Sequence, residues 1–387
     1  MNKEQSPMER PYQLCTACVM DTTDPDIVFD DQGVCHHCHE AKTMFARLPS
    51  TSEEEQARLE AIAHEITTAG QGKDYDCLVG ISGGIDSSYI VYVAHTLGLR
   101  PLVVHCDNGW NSELAVENIR KLVDACQYDL LTYVIDWEEF KDLQRAFLKA
   151  SVIDIEMLTD HGIKAAIFRL AQRHRIRYIL TGNNIATEFG LPPSWSWNKQ
   201  DLRNIKAIQK RFGEKKLHSF PTMNTFTFWW YRASRLYKYI PVLNHIRYSK
   251  KHALKILHEQ FDWTYYGGKH YESLFTKFYQ AYILPKKFGI DKRRCHLSSL
   301  IRNGEISRDE ALAELAKPPY EADELRRDKA YVLKKLEFTE EEFDEIMRQP
   351  PKSHREYPSD EQFMNVVESW KHVLKRVIKR PDAPYYS

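Results

Sequence analysis

The segment from Cys77 to Tyr89 reads CLVGISGGIDSSY. An apolar run (Leu78, Val79, Ile81) leads into Ser82-Gly83-Gly84, then Ile85-Asp86-Ser87-Ser88 and a helix-prone stretch. Paired glycines let the backbone turn sharply and approach an anion closely. The amides at a helix start, with the positive end of its dipole, then hold phosphate, and Ser82, Ser87 and Ser88 add hydroxyl donors. Asp86 alone would repel phosphate, so its presence implies an intervening Mg²⁺. Neither G-x-x-x-x-G-K-[ST] nor G-x-G-x-x-G is met, so the lysine of the usual ATPase loop is missing. A plain Gly-Gly turn before an N-capped helix fits the same letters. The strand on one side, the helix on the other and the added acid favour a phosphate cradle.

A second cluster opens the chain. Cys15-x-x-Cys18 and Cys35-x-x-Cys38 are two tight knuckles separated by sixteen residues, the spacing of a tetrahedral thiolate site. Four protein ligands leave no open position, so the expected Zn²⁺ is structural. His36, His37 and His39 crowd the second knuckle as alternative ligands. The rival readings are an iron–sulfur cluster and four free buried cysteines.

These residues need elements to hold them. Strands are expected over 76–82, 101–107, 131–136 and 177–182, with amphipathic helices over 87–99 and 112–126. Short apolar strands alternating with helices predict an α/β fold with a doubly wound parallel sheet. Ligands bind such sheets beyond the carboxyl ends of the strands, which selects loops 82–88, 107–112 and 181–188. After residue 225 the pattern becomes helical. Capping boxes are expected at Ser307 with Glu310, Thr339 with Glu342, and Ser359 with Gln362, and a last amphipathic helix carries Phe363, Val366, Val367, Trp370, Leu374 and Val377. The expected organisation is a zinc ribbon-like unit (1–45), a helical linker (46–72), an α/β nucleotide domain (73–225) and a helical domain (226–387).

Composition bounds the function. Lys plus Arg and Asp plus Glu both number 54, giving zero formal charge, which argues against a long non-specific nucleic-acid footprint. Hydrophobic residues at 43% and charged residues at 28% suit a soluble globular chain. No basic start is followed by an apolar core, and no apolar run approaches the roughly 20 residues that span a bilayer. The expected compartment is the cytoplasm, where the eight cysteines favour metal over disulfides. FTFWWYRASRLYKYI (226–240) is aromatic and basic: a lid, a membrane-touching interfacial helix, or a core-packed helix hairpin. Tyr265 to Ser273 (YYGGKHYES) sets Lys269, His270 and Glu272 around a glycine turn. ILPKKFGIDKRRCHLSSLI follows with Lys286, Lys287, Arg293, Arg294 and His296, suited to phosphate or carboxylate or to a solvated basic face.

SGGIDSS resembles the pyrophosphate loop (PP-loop) of the N-type ATP pyrophosphatases, the superfamily of the GMP, NAD, asparagine and argininosuccinate synthetases and of tRNA-modifying thiolases. Thr181-Gly182-Asn183-Asn184 with Glu188 is similar to the TGN…E segment of NAD synthetases, whose acid helps hold Mg²⁺. Asp107-Asn108-Gly109 ends the second strand, where these folds place adenosine. Together with CxxCVMDTTDPDI…GxCxxC, DNGWNSE, YYGGKHYES and PKKFGIDKRRCHLSSLI, the chain resembles the N-acetyl sugar amidotransferases of bacterial surface-polysaccharide pathways, from about Cys15 to Pro358. The resemblance implies that ATP adenylylates an acetamido oxygen and that ammonia replaces it, giving an acetamidino sugar, AMP and pyrophosphate.

On that reading Asp86 and Glu188 hold Mg²⁺, Ser82 to Ser88 with Asp107, Thr181, Gly182 and Asn183 hold ATP, and Lys269 is the remote cation. Trp195, Trp197, His270 and Arg293 are candidate contacts for a nucleotide- or lipid-linked acetamido sugar. Position 2 is Asn, so removal of Met1 exposes no N-terminal cysteine nucleophile, and no Gly-flanked nucleophile stands out among Cys77, Cys106, Cys126 and Cys295. A separate ammonia-supplying glutaminase, like the glutaminase–cyclase pair of histidine biosynthesis, is therefore expected. Two rivals remain, a PP-loop tRNA thiolase and a nucleotide-binding scaffold without turnover.

Overall fold

The computed structural model describes residues 11–267 and 271–366. In chain order the strands are β1 (Cys77–Ile81), β2 (Pro101–Asp107), β3 (Asp129–Val134), β4 (Tyr178–Thr181) and β5 (Lys238–Pro241). The helices are α1 (His36–Phe45), α2 (Ser52–Gly70), α3 (Ile85–Thr96), α4 (Glu113–Cys126), α5 (Trp137–Ala150), α6 (Met157–Arg173), α7 (Ile185–Glu188), α8 (Leu202–Phe212), α9 (Thr225–Ala233), α10 (Lys250–Phe261), α11 (Leu274–Phe278), α12 (Arg293–Arg302), α13 (Arg308–Ala316), α14 (Ala322–Leu336) and α15 (Glu340–Arg348).

All strand pairs are parallel, in the order β3-β2-β1-β4-β5. The chain builds outward from β1 to β2 and β3, then restarts on the other side with β4. The switch point therefore falls between β1 and β4, where ligands of doubly wound sheets bind. Alternate side chains of β1 feed opposite faces: Cys77, Val79 and Ile81 pack with α3 and α10, whereas Leu78 packs with α6. Each such aliphatic burial contributes about 1.5–3 kcal/mol.

Three expectations are corrected. The sheet continues past residue 225, because β5 pairs with β4 in the register Tyr178↔Lys238 to Thr181↔Pro241. This short edge strand lies inside the stretch read as a lid, an interfacial helix or a hairpin; the aromatic α9 occupies only its first part. Residues 46–72 are more than a linker, since Ile66 of α2 is fully buried in the cluster on that sheet face. The later helices form no separate core: Phe140 and Phe147 of α5, Ile205 of α8, Phe278 of α11, Leu333 of α14 and Phe343 of α15 share one cluster.

The first two capping boxes form as expected. Ser359 Oγ instead accepts from the Glu361 amide at 3.4 Å. Of the last amphipathic stretch, Val367, Trp370, Leu374 and Val377 lie outside the described residues. Among the described residues no helix is long and apolar enough to cross a membrane.

Candidate active site

β1 ends at Ile81 and α3 begins at Ile85, so the bend between them is only Ser82-Gly83-Gly84. Gly83 has φ +84°, and a Cβ there would lie 2.8 Å from the Ala115 carbonyl oxygen. Only glycine accepts both the dihedral and the backbone neighbour. The Ser82 amide donates to Ser87 Oγ (3.2 Å), the Gly84 amide to Ser82 Oγ (3.2 Å) and the Ile85 amide to the Tyr266 hydroxyl (3.3 Å). These bonds lie at or just beyond the long end of the N–H···O range. Phosphate oxygens would replace them with stronger charge-assisted ones. Ser88 is corrected as a surface donor: it is fully buried, and its hydroxyl has no partner among the described residues.

Asp86 sits in the first turn of α3, and its carboxylate is held from three sides. The Tyr248 hydroxyl donates to Oδ1. Asn184 Nδ2 (3.2 Å) and Thr187 Oγ1 (3.3 Å) donate to Oδ2. Burial first, and then the Asp86 charge, push the Tyr248 hydroxyl well above its ordinary value, with Glu188 adding to the shift. Tyr248 therefore stays a donor, and both expected magnesium acids bear on one side chain. Gly182 packs close beneath, where a Cβ would stand 3.4 Å from the Ser87 amide nitrogen. Asn184 caps α7 by accepting from the Thr187 amide at 2.8 Å. Thr181 and Gly182 are half-buried and Asn183 is exposed at the same strand end. Metal-binding carboxylates are characteristically oriented by such donors.

The second strand end forms a wall. His105 Nδ1 donates to the Ile81 carbonyl (3.0 Å), leaving Nε2 to accept from Asn111 Nδ2 (3.1 Å). Asp107 Oδ1 accepts from the Gly109 amide (2.8 Å) and from Asn111 (3.1 Å). The 271–274 segment is laid against this loop: the Ser112 amide donates to the Glu272 carbonyl (2.9 Å) and the Leu274 amide to the Trp110 carbonyl (3.0 Å). Glu272 is thereby carried over the phosphate loop, where a Cβ on Gly84 would meet its Oε1 at 3.1 Å.

The four N-terminal cysteines converge. Cys15 and Cys38 sulfurs are 4.0 Å apart, and both the Cys18–Cys35 and Cys35–Cys38 pairs are 3.7 Å apart. A tetrahedron with Zn–S bonds of about 2.3 Å has edges of about 3.8 Å, so the donor set fits zinc. Amides of Ala17, Cys18 and Cys35 point at Cys15 Sγ (3.3–3.4 Å), and Arg302 Nη2 lies 3.4 Å from Cys18 Sγ. His37 is taken by Asp24 at 2.8 Å and His39 by Asp30 at 2.8 Å.

The candidate sugar contacts are corrected. Trp195 is 1% exposed and donates to the Thr23 carbonyl, wedged under the cysteine unit. Trp197 is half-buried, stacks one face on His354 (4.9 Å, 10°) and donates to Asp201, so the indole is already engaged. Arg293 pairs with Asp291 (2.7 Å) and donates to the carbonyls of Glu314 and Lys317, closing α13. Arg294 pairs with Asp21 (3.0 Å), and Arg308 donates to the carbonyls of Cys15 and Cys18. Lys287 donates to the carbonyls of Ile346 and Gln349 at the end of α15. Much of the basic motif thus fastens helices to one another and to the cysteine unit. Lys269 and His270 lie outside the described residues.

The sequence also conceals a buried ionic cluster. Asp154 is 2% exposed and binds Lys199 at 2.6 Å, while Lys292 binds Glu156 at 2.5 Å.

Residues 272–373 match the family described as LPS biosynthesis protein WbpG-like, C-terminal domain. The match is 102 of 387 residues and starts at Glu272, the residue poised over Gly84. No curated protein matches the chain in sequence. Among solved structures it is similar to an NH3-dependent NAD synthetase from Campylobacter jejuni in complex with nitrate, at 14% identity and TM-score 0.27, over 34% of this chain and 58% of that one. It is also similar to an NMN synthetase from Francisella tularensis (15%, TM-score 0.29, 54% and 92%) and to an NAD+ synthetase from Burkholderia pseudomallei (16%, TM-score 0.28, 58% and 94%). The chain spans little more than half of the first of these. The fold reading rests on strand order and the loop itself.

Proposed function

We propose that this chain is an ATP-dependent, AMP-forming amidotransferase that converts an acetamido sugar to an acetamidino sugar in lipopolysaccharide or related glycan synthesis. One observation carries the reading: the segment matching the LPS biosynthesis family closes directly onto a lysine-free phosphate loop at the sheet's switch point. An amide carbon is a poor electrophile and its oxygen a poor leaving group. Attack of that oxygen on the α-phosphorus of ATP releases pyrophosphate and leaves an O-adenylyl imidate. Ammonia then adds to the imidate carbon, and the C–O bond breaks to release AMP and the amidine.

The residues divide this work. Amides of Ser82, Gly84 and Ile85 and the start of α3 receive the departing pyrophosphate. Asp86 and Glu188 would hold Mg²⁺, which when bound neutralises charge on the phosphates. The four cysteines would hold structural Zn²⁺.

On this reading ammonia comes from elsewhere. Burial pushes the thiol of Cys106 up to about 12 and that of Cys126 up to about 11, and Cys77 is raised further. None is a ready thiolate for glutamine hydrolysis or sulfur transfer, which also disfavours a tRNA thiolase. A separate glutaminase is the proposed partner.

Phosphorus NMR of ATP incubated with the chain, ammonia and acetamido sugars tests the proposal. The expected products are AMP and pyrophosphate, with sugar in which O is replaced by NH. Formation of ADP, or no turnover with any acetamido sugar, overturns it.

A further inference from the structure

The chain is neutral overall, yet two tracts contain no acid: 161–187 and 215–241 hold five Lys or Arg each and no Asp or Glu. The structure brings them together. Phe168 of α6 packs against Phe228 and Tyr231 of α9 and against Tyr237 and Tyr239 beside and within β5. Arg169, Arg173, Arg175, Arg177 and Arg235, on or beside these elements, are exposed. Acids also lie close by: Glu65 binds Lys238 and Tyr178, while Asp74 and Asp129, beside Tyr75, are exposed.

On the same side α9 and the turn after it show large apolar side chains to solvent. Phe226 is 59% exposed, Trp230 52% and Leu236 52%. Other faces also expose single apolar residues, but here three are joined to two tracts that carry basic residues and no acid of their own. Aromatic and aliphatic side chains on a short surface helix flanked by cations form an interfacial anchor for anionic lipid.

We propose that this face, built by α9, the turn to β5 and the basic end of α6, docks on a bilayer carrying anionic lipids. Charge complementarity selects that occupant. The chain's own segment 367–387, with five Lys or Arg against two Asp or Glu, is no complement to it. RNA is disfavoured because Arg175 and Arg177 precede β4, at the amino-terminal end of the strands and opposite the phosphate loop, so a bound strand would not be led to the site. The inference is independent of the reaction proposed above, and its readout is binding alone.

The test is co-sedimentation of the full chain with phosphatidylcholine vesicles containing about 30% phosphatidylglycerol, against pure phosphatidylcholine, at about 0.1 M and about 1 M salt. Binding is expected to anionic vesicles at low salt, at least tenfold weaker at high salt, and absent on the neutral ones. Trp230→Ala with Phe226→Ala and Leu236→Ala, all exposed positions, should weaken it at least tenfold while circular dichroism stays unchanged. Arg173→Glu with Arg175→Glu should do the same. No binding, binding unaffected by either set, or retention of RNA in preference to vesicles overturns the proposal.

Discussion

The cysteine centre draws its four sulfurs from residues 15–38, whereas the phosphate loop takes partners from Tyr248, Tyr266 and Glu272, as far as 188 residues away. The first is a closed local unit whose ligand spacing is its geometry. The second is an assembly in which a short glycine bend becomes a site only when later segments lie against it. A local unit fails completely when one ligand is lost. An assembled one degrades by degrees, according to which partner is removed.

The largest expected effect is on the cysteine side. The protein should carry about one zinc per chain, and Cys35→Ser or a strong chelator should unfold the N-terminal unit, since structural zinc contributes about 10–16 kcal/mol in isolated fingers. Metal analysis with hydrogen exchange of residues 11–45 measures this, and a metal-free, equally protected chain breaks the contrast. Next, Asp86→Ala should cut AMP formation roughly a hundred- to thousandfold, an effect of about 3–4 kcal/mol on the barrier, with little change in melting temperature. Normal turnover would remove Asp86 from the site.

Acid should act on the shared core. Burial holds His161 and His354 down to about 4, against about 6.5 in the unfolded chain. His161 Nδ1 donates to Lys199 while Nε2 accepts from the Met223 amide, so the neutral ring is the one that fits. Between those values only the unfolded chain takes up the protons, so stability rises with pH. The contribution is complete above about 6.5 and lost on falling towards 4, at about 3 kcal/mol per histidine. Calorimetry from pH 7.5 to 4.5 should show the decline, less steep in His161→Gln with His354→Gln. An unchanged slope would acquit these histidines. Smallest of all, Tyr248→Phe removes one donor from Asp86 and should lower turnover about three- to tenfold, roughly one hydrogen bond's worth. A loss as large as that of Asp86→Ala would make Tyr248 part of the reacting centre.

The same contrast explains what could be read from the letters. The knuckles, the glycine bend and strands β1 to β4 are local patterns, and the structure places them as the sequence implies. Asn184 and Thr187 were near a recognised segment, but their aim at Asp86 depends on how β4 meets β1. Tyr248 left no local signal, and the YYGGKHYES motif did not say that Tyr266 and Glu272 would lie on the phosphate loop, because pairing across 162 or more residues is written only in the packing. Trp195, Trp197 and Arg293 were misread for the complementary reason: composition shows that an indole or a guanidinium is present, not that a neighbour already covers it. β5 was hidden because four residues at a sheet edge carry too little periodicity to stand out from an aromatic helix.

Glu272 lying over Gly84 has a consequence for synthesis. A nascent chain that has emerged only to β5 owns every residue of the SGGIDSS bend and all five strands of the sheet, yet none of Tyr248, Tyr266 or Glu272. On the proposed function, a chain truncated before Tyr248 is therefore expected to leave ATP unchanged.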